Sequence, residues 1–394
     1  MSDRAISIGL LWHALDSGNH GVNALTVSNR AIAAAAARNA GLEPRFTILA
    51  PGAGTARETT ADGDVVIRIN RRTLITSREY WAEMAQLDCV LDISAGDSFT
   101  DIYGGKRFFW MWLTKQAALM RGVPLVLSPQ TIGPFTRQPY KTLAGRIISG
   151  ATLTVARDPL SYEVAGALAP GAKRLLSADV AFCLPFERRL PAKDGRTHVG
   201  INVSGLLWAQ SGKAGNRYGL SYDYAAMTIT LLDALTARKD LVLHLLTHVV
   251  DHTRPADNDA TIVDELAARY PDAIRVPDFA GPSEAKSYIS GLDLLVAARM
   301  HACIGAFSAG IPVVPVAYSR KFAGLFNELL GYYHTLNQTG HDADGAARYI
   351  LDRVDRREEL ATGVSAGNAR VSSMLDAYSE ALSALFTRVR GEQG

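Results

Sequence analysis

The residues with the clearest chemical potential lie in one short segment, Arg299-Met300-His301-Ala302-Cys303, directly after the apolar run Leu294 to Ala298. A strand that ends in Arg-Met-His, with a helix beginning at once, sets a guanidinium, an imidazole and free N–H groups at one tip, where they can converge on a phosphate or carboxylate. A lone histidine at a helix start is more often a cap or a buried hydrogen-bonding group. Arg299 two residues earlier, and Tyr318-Ser319-Arg320-Lys321 after the next strand, tip the balance toward an anion site. Val155-Ala156-Arg157-Asp158-Pro159-Leu160-Ser161 is a comparable junction earlier in the chain. Asp158 is accounted for as the cap of the helix that Pro159 starts. Arg157 is left with two readings, a surface salt bridge or an arm reaching across a crevice toward Arg299.

Two further groups invite chemistry. The loop Ser17-Gly18-Asn19-His20-Gly21-Val22-Asn23 follows a strand and opens a helix, so its glycines can bring backbone N–H groups close to an anion that the helix dipole favours. It is neither GxGxxG nor a Walker loop, and a plain tight turn into a helix cap is an equal alternative. His244, His248 and His252 recur every fourth residue, but their apolar surroundings read as a buried strand with Pro255 soon after, so no helix presents all three to a metal. No HExxH or paired Cys/His module is present, and hydrolytic chemistry lacks support.

These residues need elements to position them. Short β-branched runs alternate with longer helical patterns, which predicts the α/β class with parallel sheets and crossover helices. In the 394 residues two tandem Rossmann-like, doubly wound domains are expected: 1–186, a polar linker at 187–197, and 198–340. Helices at 341–394 follow and are placed to pack back on the first domain. The first domain should hold six strands, and its opening helix should run from Ala24 to about Asn39. Ligands in open α/β sheets sit at the C-terminal ends of strands, so the site is expected in a crevice between the domains.

Composition narrows the function. Lys plus Arg number 41 against 39 Asp plus Glu, a formal charge of +2, which gives no basic field for nucleic acid. Cys89, Cys183 and Cys303 lie far apart without CxxC spacing, as expected in a reducing cytoplasm. No signal peptide is visible, and the longest uncharged run, Met300 to Ser319, is broken by His301, Gly310, Pro312 and Pro315. The patch Phe108-Phe109-Trp110-Met111-Trp112-Leu113 is read as the buried side of a helix, with an interfacial membrane anchor as the alternative.

Taken in order, the motifs resemble the polysaccharide pyruvyl transferase family. The resemblance covers nearly the whole chain: Gly18-Asn19-His20-Gly21 with Ala24, Ser94-Ala95-Gly96-Asp97-Ser98 with Asp101, Pro129-Gln130-Thr131-Ile132-Gly133-Pro134-Phe135, and Arg157-Asp158 with Ser161. It continues with Ala178-Asp179-Val180-Ala181-Phe182, Thr247-His248 with Asn258-Asp259, Arg299-Met300-His301-Ala302, Gly310-Ile311-Pro312-Val313-Val314, and Tyr318 with Lys321. One departure is Asn23, where the family usually carries an Asp. The resemblance implies a two-domain fold similar to GT-B glycosyltransferases. It implies transfer of the enolpyruvyl unit of phosphoenolpyruvate onto two hydroxyls of a saccharide, giving a pyruvate ketal and phosphate, with no cofactor, metal or nucleotide. By matching motif, Arg157 and Arg299 would hold the carboxylate and phosphate, Met300 and Lys321 would complete the phosphoenolpyruvate site, and His301 would be the catalytic acid or phosphate partner. Gly18, Asn19, His20, Gly21, Asp97, Gln130, His248 and Trp208 are the candidate acceptor or loop contacts.

Those residue types suit the reaction. The enol methylene must be protonated, a sugar hydroxyl must attack, and phosphate must leave as the second hydroxyl closes the ring. An imidazole with a pKa near ~6.5 is a suitable acid at neutral pH, and guanidiniums stay charged and can bind an anion bidentately. A lipid-linked acceptor at the inner face of the membrane would give the Phe108 to Leu113 patch a reason to be exposed. The competing expectations are a nucleotide-sugar glycosyltransferase of the same architecture and a non-catalytic glycan-binding member of the family.

Overall fold

A computed structural model describes residues 4–52, 57–70, 73, 77–96, 99–212 and 216–391, without the side chain of Glu79. The chain divides into two units. The N-terminal unit comprises Met1–Asp16, Leu25–Cys183 and Val371–Gly394, and the C-terminal unit comprises Ser17–Ala24 and Leu184–Arg370.

The N-terminal unit is built on β1 (Ala5–Leu11), β2 (Glu43–Pro51), β3 (Arg57–Thr59), β4 (Val65–Ile69), β5 (Cys89–Asp92), β6 (Leu125–Gln130), β7 (Leu153–Ala156) and β8 (Arg174–Leu176). Their order is β3-β4-β2-β1-β5-β6-β7-β8, parallel except for β3 against β4. Every residue of β5, β6 and β7 is buried, as strands covered by crossover helices on both faces require. The sheet has two strands more than the pattern predicted. β3 and β8 are three residues each and too short to show a period, and β3 is an exposed polar edge strand. The helix Gly105–Met120 buries Phe108, Met111, Lys115 and Ala118, one helical face, while Phe109 from the aromatic patch is 50% exposed. The buried Lys115 ammonium is held 3.0 Å from Asp92 and lies over the Phe99 ring.

The C-terminal unit is built on β9 (Thr197–Asn202), β10 (Leu241–Leu246), β11 (Ile274–Arg275), β12 (Leu294–Ala297) and β13 (Val313–Pro315), in the order β11-β10-β9-β12-β13, all parallel. The chain winds outward one way from β9 and the other way from β12. The topological switch therefore lies between these two paired strands, at whose C-terminal ends Asn202 and Arg299 stand.

The C-terminal helices run Ala343–Asp355 and Arg357–Gly391. From Val371 onward this helix belongs to the N-terminal unit, where the buried Tyr378 hydroxyl bonds Asn29 Oδ1 at 3.0 Å and Ser128 Oγ at 2.9 Å. Among the described residues no helix is long and apolar enough to cross a membrane.

Candidate active site

Arg299 caps the helix Met300–Ser308 in an extended conformation, which turns its side chain away from the helix, and its backbone N–H donates to Asn202 Oδ1 at 3.2 Å. The guanidinium is buried against two acids. Nε and Nη2 donate to Asp259 Oδ1 at 3.1 and 2.6 Å, Nη1 donates to Asp257 Oδ1 at 2.8 Å, and Nη2 donates to the Asp257 carbonyl at 2.8 Å. Burial opposes the charge, but the adjoining Asp259 carboxylate outweighs it and holds the pKa above the ordinary arginine value. Of the five N–H donors of an arginine, one on Nη1 has no partner among the described residues. The bidentate fork expected of Arg299 is thus committed to protein carboxylates, and the residue can offer an anion a single hydrogen bond and its field.

Asp259 organises the rest. Its Oδ1 also accepts the Gly205 N–H at 3.0 Å, and its Oδ2 accepts the backbone N–H groups of His248 at 3.1 Å and Val249 at 3.0 Å. The sequence reading passed over Asp257 and Asp259 as site residues. The available signal was the need of any buried cation for a carboxylate.

The Ser17–Ala24 stretch packs in this unit. Asn19 bridges Val249 in antiparallel fashion, Val250 N–H donates to Gly18 O at 2.9 Å, and His20 N–H donates to His248 O at 3.3 Å. A Cβ on Gly18 would stand 2.6 Å from the Val250 carbonyl, so only glycine permits this approach. The helix starts at His20, four residues before the expected Ala24, because Asn19 Oδ1 accepts the Gly21 N–H at 2.9 Å and opens the turn. The amides of Val22 and Asn23 bond Asn19 O. With the N–H groups of His20 through Asn23 all occupied, the loop is not the anion cradle its glycines suggested. Asn23 closes the loop through both amide atoms, accepting from Ser17 N–H at 3.0 Å and donating to Ser17 O at 2.8 Å. An Asp could not make that second bond.

Three imidazoles gather here. The His20 and His248 rings meet edge to face at 5.7 Å, and Gly21 lies so close to the His301 ring that a Cβ would fall 2.8 Å from its Cγ. Burial lowers the pKa of His20, against the fields of Asp278, Asp259 and Glu284. Burial, reinforced by His20, His301 and Arg299, pushes that of His248 well below 6.5. Met300 and His301 are half-buried in the first turn of their helix, and Lys321 is half-buried in the turn Arg320–Phe322 after β13. Trp208, half-buried, ends the short helix Gly205–Trp208.

The remaining candidates are placed elsewhere. In the N-terminal unit Arg157 is buried, with Nη1 on Asp179 Oδ2 at 2.5 Å and Nε on Thr131 Oγ1 at 2.9 Å. Its surface salt-bridge reading is therefore wrong, and its buried Nη2 has no hydrogen-bond partner among the described residues. Asp158 caps the next helix as expected, accepting the Ser161 N–H at 2.8 Å. Gln130 is buried and turns its Nε2 to the Asp92 carbonyl and carboxylate and to Ser128 O. That nitrogen is a structural donor, not a sugar contact. Asp97 lies outside the described residues. Of the evenly spaced histidines, His244 pairs with His198 at 2.9 Å and the Tyr288 hydroxyl at 2.8 Å, apart from His248 in role.

Two Rossmann-like units with a buried cation and imidazoles at a strand-switch point define a GT-B-type fold. Solved structures agree on the fold: the S. aureus MnaA–UDP co-structure (TM-score 0.55, 13% identity, covering 93% of this chain and 92% of that one) and Anabaena Alr3699/HepE in complex with UDP-glucose (TM-score 0.53, 12% identity, 96% and 98%). The sequence profile described as polysaccharide pyruvyl transferase matches residues 31–320, and the chain belongs to that family, whose name is that of a transferase in polysaccharide modification. A curated relative, the amylovoran biosynthesis protein AmsJ of Erwinia amylovora, is 22% identical over 265 residues, 64% of this chain. The match spans 62% of that relative's length.

Proposed function

We propose that the protein transfers the enolpyruvyl unit of phosphoenolpyruvate onto two hydroxyls of a saccharide, forming a pyruvate ketal and releasing phosphate. The observation that carries this reading is the Arg299-His301 junction at the β9/β12 switch point, inside the segment that matches the family. In this reading His301 protonates the enol methylene, and the protein-bound guanidinium of Arg299 supplies a fixed positive field for the anionic donor. Lys321 and Met300 line the donor site. No cofactor is required by this chemistry. AmsJ, by name an amylovoran biosynthesis protein, favours an exopolysaccharide repeat unit as acceptor. A lipid-linked acceptor handled at the cytoplasmic membrane face fits the exposed Phe109.

The test incubates purified protein with phosphoenolpyruvate and candidate saccharides and follows both phosphate release and the ketal adduct by mass spectrometry. Ketal formation is expected. Transfer of glucose from UDP-glucose in a parallel incubation, with no ketal from phosphoenolpyruvate, would replace this reading with that of a nucleotide-sugar glycosyltransferase.

A further inference from the structure

Ketal formation needs a group that accepts protons as well as one that donates them, and His301 fills the donating role. His20 and His248 are 7% and 5% exposed. Both ring nitrogens of His20, and Nε2 of His248, have no hydrogen-bond partner among the described residues. Leaving a buried polar atom unsatisfied is costly, so a fold that keeps such atoms needs a reason, and a ligand that supplies the partners is one. The rings sit on fixed supports. The Asn19–Val249 bridge and the His20 N–H bond to His248 O clamp one backbone to the other, and Asp259 grips the His248 amide.

We propose that His20 and His248 are further catalytic residues, a pair that accepts the proton of each attacking saccharide hydroxyl. This rests on the pyruvyl-transfer reading and deepens it. In the first step the hydroxyl oxygen bonds to C2 of phosphoenolpyruvate, its proton passes to the pair, and the methylene takes a proton from His301, which is then recharged from the pair. In the second step the other hydroxyl oxygen bonds to C2 as the C2–O bond to phosphate breaks, the electron pair leaving on phosphate. The second proton passes through the pair to phosphate. Of the two hydroxyl protons one ends in the new methyl group and one on phosphate, and all imidazoles return to their starting state.

The charged surroundings suit this role. His248 faces His20, His301 and Arg299, which with burial keep it neutral and able to accept. The acids Asp278, Asp259 and Glu284 face His20 and favour its taking up a proton. A bound anionic donor would offset the cations around His248 and raise its basicity at the moment of need.

The test compares wild type with His20→Gln, His248→Gln and the double variant, after thermal melting has shown which are folded. In the double variant kcat for ketal formation should fall by about 10²- to 10⁴-fold, with KM for phosphoenolpyruvate within about threefold and the acidic limb of the kcat profile lost. Near-wild-type kcat, or an unaltered acidic limb, overturns the proposal. A second measurement follows ¹⁵N-imidazole resonances of wild type titrated with inorganic phosphate. The pKa of His248 should rise by about 1 pH unit, and resonances of both rings that do not respond overturn the proposal. If wild type forms no ketal, the pyruvyl-transfer reading fails by itself, while the phosphate titration still decides whether the two rings face the ligand.

Discussion

Asp259 holds Arg299 through one carboxylate oxygen and the backbone of His248 and Val249 through the other. A single buried side chain thereby fixes the end of β12 against the loop after β10, and charge balance and geometry at the site depend on the same atoms. Asp259→Asn removes the charge and leaves Arg299 buried beside Asp257 alone. Breaking a buried pair from one side costs about 3–5 kcal/mol, and the urea midpoint should fall accordingly. An unchanged midpoint would mean that the pair does not hold in solution.

Gly21 is glycine because the His301 ring occupies the space of a side chain. Gly21→Ala should displace that imidazole. A misplacement of about 1 Å can cost about 10²-fold in rate, so ketal formation should drop on that order in a protein whose melting temperature changes little. Equal turnover by wild type and variant would show that the ring moves aside without consequence.

His301→Ala should lower turnover by roughly 10²- to 10⁴-fold, the usual worth of general acid–base catalysis. The measurement is the initial rate of phosphate release at saturating phosphoenolpyruvate. A rate near that of wild type would remove His301 from the mechanism.

Stability should fall with acid through His13. This histidine is buried in the N-terminal unit, with Nδ1 3.0 Å from Leu11 O and Nε2 taking a hydrogen bond from Asn29 Nδ2 at 3.1 Å. Burial lowers its pKa to about 4 from 6.5, only partly opposed by the Leu11 carbonyl. The unfolded chain therefore binds the proton first. The stabilisation is complete above about pH 6.5 and is lost as pH falls toward 4, by roughly 1.4 kcal/mol per pH unit and roughly 3 kcal/mol in all. Urea unfolding at a series of pH values should show a shallower slope for His13→Gln than for wild type across this window. Parallel slopes would assign the acid sensitivity to other groups.

The Arg299-Met300-His301 junction was legible in the sequence because a buried strand ends there in two polar side chains that local capping does not explain. The alternation of apolar runs and helices likewise exposed the α/β class. What stayed hidden depends on contacts between distant residues. No local period shows that Ser17–Ala24 pairs with the loop after β10, that Asp179 takes up Arg157 from 22 positions away, or that Gln130 turns back to Asp92. Asn23 looked like a lost carboxylate. Its amide instead makes two bonds to Ser17 that need both a donor and an acceptor. The free fork expected of Arg299 failed for an energetic reason, since a cation so deeply buried must carry its own counter-charge.

The helix Arg357–Gly391 gives the order of synthesis a consequence. The ribosome releases Leu25–Cys183 before Val371–Gly391, yet that unit needs both, including the buried Tyr378 that bonds Asn29 and Ser128. A sheet whose strands are made early is thus completed only after Leu184–Arg370 has been synthesised. Until translation reaches the end of this helix, the nascent sheet of β1–β8 lacks part of its cover, and a chain stopped at Arg370 would leave Asn29 and Ser128 without the hydroxyl they share.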